Sequence, residues 1–223
     1  MLYDRDRYII PIDGRWSLED LYKFPRSFEQ VYYALEAIAP AEDRDVEERI
    51  LRAFQAFPWR GGYSAVGFYN QLKWATSPTE RPTITQLHYS SPGIIELALN
   101  LPLAIHVGAV VSSVAGSIHV MNRVYHRIHT DLQERKLLRI EVERKRLELT
   151  QEEMDAILKM GETMSQVLDL PGAHALHSRT QNPLISLKIL LSVYRRIRTL
   201  AEFKIRGKAN LRSASEMVND GDL

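Results

Sequence analysis

The sequence predicts an α+β fold that is mainly helical: a small antiparallel sheet, built from one strand and a β-hairpin and covered by helices, followed by a long helix and a helical C-terminal half. Three observations predict it. Residues 83–101 hold two strand-like runs around a Ser90-Ser91-Pro92-Gly93 turn. From Val107 onward, apolar residues recur in steps of four and three, the signature of a helix with one buried stripe. Most of the remaining chain carries the same helical period between proline and glycine breaks.

Arg7 to Ile12 predicts a short strand closed by an Asp13-Gly14 turn. Ser17 with Asp20 three residues on is an aspartate variant of the capping box, starting a helix through Leu18, Leu21 and Tyr22. That helix is expected to stop before Pro25, because the residue preceding a proline is pushed out of the helical region. A second helix, Ser27 to Ile38, presents Phe28, Val31, Tyr32, Leu35 and Ile38 on one face. After Pro40, acidic residues 42–48 suit the positive end of a third helix, lined by Val46, Ile50, Leu51, Phe54 and Phe57 and ended by Pro58. Gly61 and Gly62 predict a tight turn, with Ser64 capping a fourth helix from Ala65 to Trp74.

Thr83 to Tyr89 is β-branched and aromatic, and Ile95, Leu97, Leu99 and Leu101 alternate with Glu96, Ala98 and Asn100, so this hairpin buries one face. The strand at 7–12 supplies a third partner, since two strands alone are marginal in water. Pro102 fits the first turn of the long helix, which is expected to reach about Leu149. Thr150 with Glu153 is a capping box for a helix to about Leu168, broken by Pro171-Gly172. A short turn follows around Ala173 to His177. Asn182-Pro183 then opens a last helix with Leu184, Leu187, Leu190, Leu191, Tyr194, Ile197 and Leu200 as its stripe and Gly207 as its C-terminal cap. The expected organisation is an α+β layer at 1–101, a helical region at 102–211 and a disordered polar tail at 212–223.

Composition bounds the chemistry. The 223 residues are 45% hydrophobic and 26% charged, enough to bury a core. A formal charge of +1 gives no global attraction to nucleic acid or membrane. With no cysteine, disulfides, thiolate catalysis and cysteine-ligated zinc are excluded. Residues 1–12 show no secretory pattern, so a cytoplasmic location is expected.

Four features bear on function. The first is the seam Val107, Val111, Val114, Ile118, Met121, Tyr125, Ile128 and Leu132, a heptad repeat needing a protein neighbour: a second copy, or the last two helices of the same chain. Within it, Leu101 to Met121 carries no Asp, Glu, Lys or Arg, and Gly108, Ser112 and Gly116 sit four apart, so membrane insertion is the alternative. The second is the turn Trp59, Arg60, Gly61, Gly62 and Ser64, a candidate anion or partner contact that lacks the P-loop ending. The third is a basic end, Arg195, Arg196, Arg198, Lys204, Arg206 and Lys208, which offers contacts to phosphates or anionic lipid. The fourth is a superficially hydrolytic set, His88, Ser90, Ser91 and Glu96, without nucleophile-elbow spacing. His119, His126 and His129, and His174 with His177, have zinc-like spacing but no acidic partner on their near face, so no metal or other cofactor is expected. The sequence therefore predicts a non-enzymatic, self-associating interaction or scaffold protein, with a membrane-inserting effector as the alternative and a nucleic-acid binder third.

Overall fold

The computed structural model describes residues 6–56, 61–135, 137, 149–168, 170 and 173–212, with the backbone alone at 6, 61–66 and 173–175. It is α+β and mainly helical (69%), with a three-stranded antiparallel sheet and seven helices among the described residues. The elements run β1 (Asp6–Ile12), α1 (Leu18–Ile38), α2 (Arg44–Gln55), α3 (Gly61–Ala75), β2 (Thr83–His88), β3 (Gly93–Leu99), α4 (Leu101–Glu134), α5 (Gln151–Leu168), α6 (Ala173–Thr180) and α7 (Pro183–Ile205). The chain divides into two units. One holds residues 1–36, 76–118 and 195–223, and the other holds residues 37–75 and 119–194. Both units draw on chain from either side of position 101.

The local signals account for most element ends. Ser17 and Asp20 close a reciprocal box, Asp20 N–H to Ser17 Oγ (3.1 Å) and Ser17 N–H to Asp20 Oδ2 (2.9 Å). Thr150 and Glu153 do the same at α5. Asn182 accepts the Leu184 N–H at 3.0 Å, and Pro183 opens α7. Gly207, at φ +66°, ends α7, where the Lys208 N–H reaches back to the Phe203 carbonyl at 2.9 Å.

Four expectations change. The helices expected on either side of Pro25 are one, α1, with the proline inside it. An interior proline costs about 3 kcal/mol. Here Phe24 and Phe28 flank it and are both buried, Phe24 edge-on to Trp16 and Phe203 at 5.4 and 5.2 Å, so aromatic burial offsets the loss. Gly61 and Gly62 lie in the first turn of α3 rather than in a turn before it. Near a helix start the N–H groups lack intrahelical partners anyway, so glycine's cost there is mainly its backbone entropy. The long helix α4 ends at Glu134, and most of its expected continuation to about Leu149, residues 136 and 138–148, lies outside the described residues. It is kinked at Ser117 (φ −123°, ψ 17°), where the Ser117 hydroxyl donates to the Ser113 carbonyl at 2.8 Å and competes with the helical ladder. Residues 173–177, expected as a turn, belong to a helix that runs to Thr180.

In the first unit the sheet order is β1-β3-β2, both pairs antiparallel. Register places Tyr8 opposite Leu97 and Ile10 opposite Ile95, and all four are buried on the core face. Tyr8 stacks on Phe28 of α1 at 6.3 Å, and the Tyr32 hydroxyl receives the Asn100 N–H at 3.3 Å. The chain after α7 then returns along β1. Ala209 bridges Ile12, and the Asn210 N–H donates to the Pro11 carbonyl at 2.9 Å. The Tyr8 hydroxyl donates to the Arg212 carbonyl at 2.8 Å. Lys204 Nζ donates to Ser112 Oγ (2.9 Å) and the Leu211 carbonyl (3.1 Å). Arg212, the first residue of the expected disordered tail, is thus held; residues 213–223 lie outside the described residues. This return passes α4 at Gly108, where a Cβ would sit 2.8 Å from the Arg212 carbonyl carbon and closer still to its oxygen.

In the second unit, residues 183–194 of α7 are all buried, Lys188 and Ser192 included, where the sequence suggested a single stripe. Burial lowers the Lys188 pKa to about 7. Arg179 of α6 is the main polar tie. Its guanidinium pairs with both oxygens of Glu47 (3.0 and 2.6 Å), caps the Ala37 and Ile38 carbonyls at the end of α1, and lies 5.1 Å from the centre of the Phe54 ring. A cation there meets the negative end of the helix dipole as well as a bidentate carboxylate.

Because the Gly108 crossing leaves no room for a methyl group, Gly108→Ala is expected to lower stability by about 1–3 kcal/mol, as overpacking does. Gly116→Ala, on the same helix with nothing within 4 Å, is expected to gain about 0.5–1 kcal/mol. Urea unfolding of both variants checks the pair; equal effects of one sign contradict the crossing.

Candidate functional site

Among the described residues of the first unit, one edge of the sheet is open. All six residues of β2 are exposed, although Ile84 pairs with Leu97 and Leu87 with Ile95, so both belong to the core face. Ile84 is 49% exposed and Leu87 50%, while their partners on β3 are buried. A bulge between Ile84 and Gln86 explains why two core-face residues stand three apart instead of two. On the other face the Thr85 hydroxyl donates to Glu96 Oε1 at 2.8 Å, and Arg7 approaches the same oxygen at 3.7 Å, so the buried Glu96 is satisfied in place.

Beside β2 lies a groove of about 360 Å³ whose walls include Tyr22, Pro25 and Arg26 of α1 together with Ile84, Ile95 and Leu97 of the sheet. That is the low end of the volume range of ligand pockets. Arg26 lies over the Tyr22 ring at 5.4 Å, and Tyr22 is 61% exposed. The first turn of α1 is fixed by its capping box and by Lys208, whose ammonium donates to Asp20 Oδ2 at 2.7 Å. That bond, with the Ser17 N–H, lowers the Asp20 pKa to about 2.

The residues singled out from sequence fall elsewhere. Val107, Val111, Val114, Met121, Ile128 and Leu132 of the seam are buried within the single chain, and Ile118 and Tyr125 are half-buried. Six of the eight seam residues are thus covered by the chain itself. Of the basic residues, Arg196 donates to Gln30 Oε1, Arg198 pairs with Glu202, Lys204 holds the return segment and Lys208 holds Asp20. Only Arg195 and Arg206 of that set are exposed, so the cation run is largely a set of internal ties. Trp59 and Arg60 lie outside the described residues, and Gly61, Gly62 and Ser64 are described by their backbone alone.

The hydrolytic set does not assemble. Ser90 Oγ turns to the Pro92 carbonyl, Ser91 Oγ to Asp13, and Glu96 is held by Thr85. Among the described residues no group of three His, Asp or Glu converges as a metal site. In the second unit a small cavity of about 140 Å³ touches Ser165, His177 and Ser186. One described helix, α4, is long and apolar enough to cross a membrane, with 33% of its most apolar window buried.

Sequence reasoning missed the open edge. The available signal was the absence of any charged residue from Pro82 to Ile95, since exposed edge strands ordinarily carry lysine or another guard. The sequence matches no protein-family model, and neither curated proteins nor solved structures give a significant match.

The Asp20–Lys208 tie has a pH signature. The folded pKa lies near 2 and the unfolded value near 3.9, so its contribution is complete above about pH 5 and is lost as pH falls through 2. Asp20→Asn is expected to lower the melting temperature by a constant amount between pH 5 and 7, with the gap closing as pH falls below about 4. A gap that is unchanged down to pH 2.5 contradicts the assignment.

Proposed function

We propose that the chain is a non-enzymatic, self-associating interaction protein, and that its contact surface is the open β2 edge with the groove beside it. The observation that carries this reading is the half-exposure of Ile84 and Leu87 at core-face positions of an edge strand without charges. An edge strand presents unpaired backbone donors and acceptors, and proteins that stay monomeric normally block such edges. The opposite edge is blocked: β1 carries Asp6, Arg7 and Pro11, and the return segment bonds to its end at Pro11–Asp13. Among the described residues β2 has no equivalent.

The seam of α4 does not serve as the contact in this proposal, because six of its eight residues are already covered by their own chain. A catalytic role has no support from the arrangement of His88, Ser90, Ser91 and Glu96. The test is mass by size-exclusion chromatography with light scattering, across a concentration series and without detergent. The expected result is a dimer that dissociates on dilution and a monomer at every concentration for Leu87→Lys, with unchanged circular dichroism. A wild-type monomer at the highest concentration overturns the proposal.

A further inference from the structure

Resting on the self-association proposed above, we infer that two copies join β2 to β2 antiparallel about a twofold axis, with Ile84 of each opposite Leu87 of the other, to make one continuous six-stranded sheet. The occupant of the open edge is a second copy of this chain because the edge is complementary to itself.

The argument is one of register and charge. An antiparallel twofold pairing that engages all six residues of β2 has a single solution: Thr83 opposite His88, Ile84 opposite Leu87, and Thr85 opposite Gln86. The β2–β3 ladder fixes the face of each residue. Ile84 and Leu87 share the core face, while Thr83, Gln86 and His88 lie opposite Ala98, Glu96 and Ile94 on the other. The twofold register therefore sets core-face residue against core-face residue and outer-face residue against outer-face residue. A shift of one residue sets Ile84 against Gln86 or His88 and breaks that match.

The bulge does not disturb the register, because both copies carry it at symmetric places. No Asp, Glu, Lys or Arg lies between Pro82 and Ile95, so two copies approach without like charges meeting across the ladder. Ile84 also lines the groove, and Leu87 of the second copy would extend that apolar wall across the axis. Self-pairing thus gives the edge strand a ladder partner and covers its half-exposed aliphatic side chains.

The chain's lack of cysteine makes the test clean. Thr83→Cys and His88→Cys are made separately at exposed positions, purified, mixed in equal amounts and oxidised mildly. Residues 83 and 88 of facing strands would stand about 4.5–5.5 Å apart between Cα atoms, within disulfide range. Two copies of residue 83, or two of residue 88, would be offset by about 17 Å along the strands. The expected result is a disulfide-linked dimer in the mixture alone, starting from the statistical half of mixed pairs in a twofold dimer and rising above it as exchange delivers further mixed pairs.

Equal cross-linking of either variant alone overturns the register. A dimer by light scattering that gives no cross-link in any sample places the contact elsewhere; it overturns this inference and leaves the self-association standing. Monomers throughout, with melting temperatures unchanged from the wild type, overturn both.

Discussion

A three-stranded sheet keeps water off one face only as far as its covering helices reach, and here the cover stops short of β2. The core-face residues of β1 and β3, among them Tyr8, Ile10, Ile95 and Leu97, are buried, while Ile84 and Leu87 of β2 stand half in solvent. Each leaves on the order of 1 kcal/mol of available burial unrealised. The groove between α1 and β2 is the same shortfall seen as volume. The proposed contact follows from this one constraint: what the chain's own helices do not cover remains for another surface.

Elsewhere the first unit is closed firmly. The segment after α7 lies along β1, and its passage depends on Gly108 having no side chain and on the Tyr8 hydroxyl meeting the Arg212 carbonyl. Lys204 and Lys208 anchor it at Ser112 and Asp20. These cations look like a binding patch when counted along the sequence. In space they are donors to one segment and one helix turn. The second unit relies on a comparable device, the Arg179 guanidinium shared by Glu47 and the end of α1. A buried bidentate pair of this kind fixes geometry more surely than it adds net stability.

Much of this fold was legible because its signals are local. The Ser17 and Thr150 boxes, the Asn182 cap, the Gly207 terminus and the period-two pattern of β3 each depend on residues within one turn or one strand. The errors arose where tertiary contacts override a local rule. Pro25 does not break α1, because Phe24 and Phe28 are buried on either side of it. The seam of α4 is real as a largely buried stripe, but sequence alone left open whether a second copy or the same chain covers it; the same chain buries six of its eight residues. The site was the least legible part. A bulge at Ile84–Gln86 removes strict alternation from β2, so the strand shows no clean two-faced pattern. Openness of an edge is also a property of strand order, β1-β3-β2, which no single segment encodes.

The most direct test of the account is amide hydrogen exchange across β2 at two protein concentrations, one favouring monomer and one favouring dimer. The account predicts that β2 amides gain protection at the higher concentration, while those of β1 and β3, already paired within the sheet, exchange at an unchanged rate. Exchange of β2 that is equally fast at both concentrations, in a sample whose mass has doubled, would contradict it.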